Sequence, residues 1–391
     1  MKALPRFPVT TVGSWPRPRE LLRALRARQR GEASAAEFRR VADDAVRTAL
    51  RAQEEAGVDL VTDGEQRRDN FYSFVADKFD GVRLMTLAEM LDLVEDQEGF
   101  RELLASLDVP AYALRNPTCV GAVAPREPLV ADDLAFLRAH TDRPIKVTLP
   151  GPYLLTRAMW VPEASRAAYP NKEALGERVV AILSEEVERL ARDGADFIQL
   201  DEPVLTELVF AQGRTRTFMC AALASRQDPA EELAFAVGLV NRVLAAAGST
   251  RTGLHVCRGN WSRDEGTLLS GSYAPLLPWF AKIDVRQLVL EYATPRAGDI
   301  VGTGQKELGL GVVNPRVDRV ESPDEIVARV REALRVVPAE RIFLNPDCGF
   351  GTFAARPMNS AEVATRKLRA LSEAAARLRD DVGVGHEGGT R

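Results

Sequence analysis

Short runs of nearly continuous apolar residues alternate along the chain with longer stretches in which apolar positions recur at helical spacing. The short runs predict eight strands, with cores at Val9–Trp15, Asp59–Asp63, Ile145–Leu149, Phe197–Asp201, Gly253–Cys257, Gln287–Glu291, Leu308–Val313 and Ile342–Pro346. Segments such as Phe-Ile-Gln-Leu, Leu-Val-Leu-Glu and Arg-Ile-Phe-Leu lack the alternation of a half-exposed sheet and suit parallel strands covered on both faces. Between them, helices are expected at about 171–194, 228–247, 322–336 and 359–379. Ser34-Ala35-Ala36-Glu37 has the form of a capping box, opening a helix that Gly57 ends. A strand followed by a helix, repeated over eight strands, predicts an α/β fold of the (β/α)8 TIM-barrel type; an open doubly wound sheet is the competing layout.

Residues 82–130 break the alternation. Leu84–Val109 reads as helical, and Ala111–Leu114 with Thr118–Ala124 reads as an extended pair, so a helix and hairpin segment is expected to be inserted after the second strand. No internal repeat or low-complexity linker divides the chain, which predicts one catalytic domain over 1–379. The Gly-rich stretch 380–391 is expected to be a disordered tail.

Polar residues cluster at the C-terminal ends of the predicted strands, the end where barrels carry their active sites. Ser14 ends the first strand, Asp63-Gly64-Glu65 the second, Asp201-Glu202-Pro203 the fourth, His255-Val256-Cys257 the fifth, Glu291 the sixth and Asp347-Cys348-Gly349 the eighth. His255 and Cys257 are two apart on one strand, so both side chains face the same way. A His-x-Cys pair alone is more often a buried histidine beside an inert thiol. With Glu291 on the next strand and Cys348 at the same rim, the four make a candidate Zn2+ site with the mixed N, S and O donors that zinc prefers. Cys119 and Cys220 end no strand and read as ordinary cysteines, while His140 and His386 read as solvent and tail residues. Glu65 and Asp201 admit three readings: catalytic acid–base work, binding of a substrate ammonium group, or pairing with Arg67, Arg68 or Arg258.

Composition narrows the partners. A formal charge of −4 gives no footprint for nucleic acid, and no apolar run is long enough for a membrane span. The first residues lack the apolar centre of a secretory signal, and four cysteines in 391 residues are too few for a disulfide scaffold. A cytoplasmic setting and a small-molecule substrate are the expectation.

These residues resemble a known family. Thr10-Thr11-Val12-Gly13-Ser14-Trp15-Pro16, Asp63-Gly64-Glu65, Ile198-Gln199-Leu200-Asp201-Glu202-Pro203, His255-Val256-Cys257, Glu291 and Asn345-Pro346-Asp347-Cys348-Gly349 are similar to the catalytic C-terminal half of cobalamin-independent methionine synthase. The resemblance implies a methyltransferase in which His255, Cys257, Glu291 and Cys348 hold zinc, while Ser14, Glu65 and Asp201 hold the amino-acid part of homocysteine. Ser14 would meet its carboxylate, and Glu65 and Asp201 its ammonium. The chain departs from the long members of the family in two ways. It has no room for their N-terminal barrel, and its loop 311–319, after the seventh strand, lacks the histidine that serves them as proton donor. Asp318 or a water is the expected substitute, and the methyl donor is left open between a folate and a methylated corrinoid protein.

Val256-Cys257-Arg258-Gly259-Asn260 and Leu308–Val313 also resemble the epoxyalkane:coenzyme M transferases. Their sulfonated thiol would call on Arg17, Arg67, Arg258 or Arg316. A zinc-binding barrel with a regulatory rather than a catalytic role is the third alternative.

Overall fold

The computed structural model describes residues 3–93, 97–98, 101, 115–210, 228–260, 262–354 and 357–387. Its centre is a parallel sheet of six strands in sequence order: β3 (Lys146–Pro150), β4 (Phe197–Asp201), β5 (Arg251–Val256), β6 (Gln287–Glu291), β7 (Glu307–Val313) and β8 (Ile342–Pro346). Nearly every residue of these strands is buried, as their apolar runs require.

Two short segments close the sheet into a ring. Val9 pairs in parallel with Leu344 of β8, Thr10 with Leu60, and Val61 with Ile145 at the foot of β3. Backbone bonds from Thr10 N–H to the Leu344 carbonyl (3.0 Å) and from Lys146 N–H to the Val61 carbonyl (2.8 Å) complete the circuit. The result is the predicted eight-stranded barrel. The first two strands are shorter than expected, however, because side-chain hydroxyls take over from the ladder. Thr11 and Thr62 bond each other at 3.2 Å, and the Thr62 hydroxyl donates to the Gly13 carbonyl.

Helices pack outside the ring. Ser34 and Glu37 form the predicted capping box at the start of Ala35–Glu55. Helices Lys172–Arg192, Pro229–Ala245 and Pro323–Ala333 agree with the sequence reading. No described helix is long and apolar enough to cross a membrane.

The insertion after the second strand differs in detail. Its hairpin is β1 (Phe79–Thr86) paired antiparallel with β2 (Arg115–Pro125). Leu84–Thr86, read as the start of a helix, is therefore strand. Phe79, Val82 and Met85 form its buried side, and the Thr86–Glu89 capping box starts the short helix at Leu87. Ala111–Leu114, the expected partner strand, lies outside the described residues, as does Cys220. The last helix is also longer than expected. Ala361–Glu387 continues past Asp380, and an ion pair between Asp381 and Arg331 (2.9 Å) ties its extension to the preceding helix.

Candidate active site and metal centre

Above the C-terminal rim lies a pocket of about 460 Å3 whose lining includes Ser14, Glu65, Asp201, His255, Cys257 and Cys348. All the predicted site residues except Glu291 thus meet in one cavity. Two glycines permit this closeness. A Cβ on Gly349 would stand 2.0 Å from the Ser14 hydroxyl oxygen, and one on Gly13 would stand 2.4 Å from a Glu65 carboxylate oxygen.

His255, Cys257 and Cys348 offer donor atoms that all lie within 4.8 Å of one another. The Nδ1 of His255 faces the Val289 carbonyl at 3.2 Å, which fixes the tautomer with Nδ1 as donor. That leaves Nε2, which is buried and has no hydrogen-bond partner. A ring nitrogen enclosed with two sulfurs is a donor set that fits a metal ion.

Electrostatics agree. Hydrogen bonding from Cys257, with His255 adjacent, draws the Cys348 thiol well below its ordinary pKa, whereas burial and that same Cys348 push Cys257 up. Burial opposes a charge on His255, but Cys348, Asp201 and Glu291 outweigh it and raise its pKa to about 9.

Glu291 stands beside this group but is not part of it. One of its carboxylate oxygens accepts from the Arg258 N–H at 3.1 Å and from the Asn260 amide, and the other pairs with Arg296 at 2.9 Å. The structure brings three of the four predicted ligands together and ties the fourth to one arginine and two amide N–H groups.

The opposite wall carries the carboxylates. Asp201 accepts from Gln199 Nε2 at 2.8 Å, and burial raises its pKa to about 7. Glu65 accepts from the Thr148 hydroxyl at 3.0 Å, its other oxygen is buried without a partner, and burial raises its pKa. Glu65 also has a backbone φ of 53°, a conformation that costs a non-glycine residue about 1–3 kcal/mol. The turn is held by the Asp63 carboxylate on the Glu65 N–H (3.0 Å) and by Arg17 on its carbonyl (2.8 Å). The Ser14 hydroxyl accepts from the Gly351 N–H at 3.3 Å.

Sequence reasoning missed several lining residues, among them Phe71, Asn260, Thr352 and Phe353. Phe353 pairs with Asn70 in an antiparallel bridge that stitches two rim loops together, a contact for which the sequence gives no local sign. Glu202, in the same motif as Asp201, turns from the pocket and accepts from the N–H groups of Tyr153 and Leu154, capping helix Pro152–Met159.

Of the arginines considered for a sulfonate, none lines the pocket. Arg17 grips the carbonyls of Gly351 and Glu65, and Arg67 grips Asp43 and Asp133. Arg258 donates to the Gly271 carbonyl and stacks on Tyr273, and Arg316 pairs with Glu265. Asp318, the expected substitute for the absent histidine, is also placed elsewhere. It is exposed and paired with Arg263 (3.0 Å), and that hydrogen bond together with one from Asn359 lowers its pKa, which makes it a poor acid.

A closed α/β barrel with a buried His, Cys, Cys group that could hold a metal ion, facing two carboxylates, is the arrangement of an enzyme site. Comparison with known proteins specifies it. Residues 7–377 match the family described as "Cobalamin-independent synthase, Catalytic domain", and the chain belongs to that family of methyltransferases. It is 31% identical to the methionine synthase of Thermococcus kodakarensis, with 88% of this chain and 87% of that one covered. With the methionine synthase of Saccharolobus solfataricus it shares 28% identity over 98% of both chains. The fold is similar to that of a B12-independent methionine synthase from Shewanella sp. W3-18-1, solved in complex with selenomethionine (TM-score 0.71, 23% identity, covering 97% of this chain and 100% of that one).

Proposed function

We propose that the protein transfers a methyl group to the thiol of homocysteine, forming methionine, with a zinc ion held by His255, Cys257 and Cys348. Glu291 would complete the ligand set on release from Arg258, Asn260 and Arg296. The observation that carries this reading is the meeting, in one pocket, of an unpartnered His255 Nε2 and two thiols with Ser14, Glu65 and Asp201.

Zinc supplies Lewis acidity that favours the thiolate form of a thiol whose own pKa is about 8.5. The residues of the chain do the rest. Around a dication, two cysteine thiolates and a carboxylate would leave an excess negative charge, which would keep a neighbouring sulfur nucleophilic. Asp201 and Glu65 receive the substrate ammonium, and Ser14 with the adjacent backbone receives its carboxylate. This fixes the direction from which the thiol enters, and methyl transfer then depends mainly on alignment. Phe71 and Phe353 line the same cavity and help exclude water. The donor is a small methylated molecule or a methylated carrier, either a folate or a corrinoid protein. With no histidine in 311–319 and Asp318 held outside the pocket, water is the proton source for the leaving group. Cys257 and Cys348 are free thiols, which suits a reducing cytoplasm.

The committed rim arginines disfavour a sulfonated thiol, and the paired carboxylates favour an ammonium-bearing one. Methylation assays of the zinc-loaded protein with L-homocysteine and with coenzyme M decide between them. Turnover of homocysteine alone is expected, and turnover of coenzyme M alone would overturn the assignment.

A further inference from the structure

Beneath the carboxylate wall the barrel interior is polar, where barrels of this type are usually filled by branched apolar side chains. Lys146, at the foot of β3, is 1% exposed, and Gln199, midway along β4, is fully buried. A buried lysine amine is costly unless it is hydrogen-bonded. Its Nζ donates to the Thr11 carbonyl and, at 3.2 Å, to Oε1 of Gln199. Gln199 passes the contact on, its Nε2 donating to the Val12 carbonyl at 3.0 Å and to Asp201 Oδ1 at 2.8 Å.

The amide has one orientation that suits these partners. The Val12 carbonyl can only accept, so Nε2 must face it and Asp201, and Oε1 must face the lysine. The Asp201 oxygen on that side is thereby held as an acceptor, and the remaining one is left for the pocket that Asp201 lines.

We propose that Lys146 is a positioning residue which, acting through Gln199, holds the Asp201 carboxylate in the orientation that receives the substrate ammonium group. The proposal rests on the homocysteine reading above and deepens it. Thr148, two residues along β3, holds Glu65 directly at 3.0 Å, so one strand supports both carboxylates, one in a single step and the other in two.

The test pairs kinetics with crystal structures of the zinc-loaded protein. Lys146→Met should raise KM for homocysteine about tenfold, with zinc content unchanged and kcat within about twofold, the scale expected for weakening a bond to a charged group. Gln199→Met, which fills the same space, should raise it at least as much and serves if the lysine variant folds poorly. In an Asp201→Asn background the Lys146→Met effect should shrink below about twofold, because the residue it acts on has lost its charge. In crystals of either variant the Asp201 carboxylate should turn from its wild-type position. An equal KM penalty with and without Asp201, or none in the wild-type background, overturns the proposal. Wild-type protein that does not methylate homocysteine defeats the functional reading instead. The crystal structures then decide this one, and an unmoved Asp201 overturns it.

Discussion

The two walls of the pocket share a rim but are held differently. On the metal side, His255, Cys257 and Cys348 turn their donor atoms toward one another, and His255 Nε2 has no other partner. On the amino-acid side, each group is oriented by a protein neighbour: Ser14 by the Gly351 N–H, Glu65 by Thr148 and Asp201 by Gln199. Donor atoms turned toward one another in this way could hold an ion between them. Groups already fixed by neighbours present a set pattern of acceptors to an organic ligand. On the proposed reading, the first wall governs whether the thiol reacts, and the second which thiol arrives.

Substitutions should separate the walls. The largest effect is expected from Cys348→Ser or His255→Ala, which remove a ligand outright. Bound zinc should fall to a small fraction and methyl transfer by at least about 1,000-fold, while the circular dichroism of the barrel persists. Metal analysis and turnover together check this, and full activity without metal would break the comparison.

Asp201→Asn comes next. It should lower kcat/KM for homocysteine by roughly 100-fold and leave zinc content unchanged, since it deletes a charged acceptor from the other wall. Glu65→Gln should cost less, about tenfold, because a second carboxylate remains to meet the ammonium. Titration calorimetry with homocysteine distinguishes both from metal loss.

The smallest effect concerns stability. Burial raises Asp201 to about 7, well above its unfolded value. The folded chain therefore holds the proton more tightly than the unfolded one. The stability this contributes is complete below about pH 4 and is lost as pH rises toward 7. Metal-free Asp201→Asn should thus melt at or above the wild-type temperature at pH 8, with the advantage fading as pH falls to 4. Melting curves across that range check the sign.

The convergence of His255, Cys257 and Cys348 was legible in the sequence because they are scarce residue types at strand ends. His255 and Cys257 share a face by strand periodicity alone, and Cys348 falls at the same rim. The carboxylates were legible as positions but their role was not: Arg67 pairs with Asp43 and Asp133, whereas Arg68 stands 3.9 Å from Glu65, one of the expected pairings. The engagement of Glu291 by Arg296 was not legible, since it depends on the path of the loop after β6. Nor were Lys146 and Gln199, because in a strand buried on both faces a polar residue facing the barrel axis looks the same in sequence as one facing the helices. The barrel itself followed from eight alternating segments. The hairpin partner of Arg115–Pro125 did not, as Phe79–Thr86 carries only a weak alternation.

Zinc-edge X-ray absorption on the purified protein, before and after addition of L-homocysteine, tests the central claim most directly. Zinc with two sulfur neighbours that become three on adding the thiol is the predicted result. Zinc whose sulfur shell does not change, or protein that binds no zinc, would contradict it.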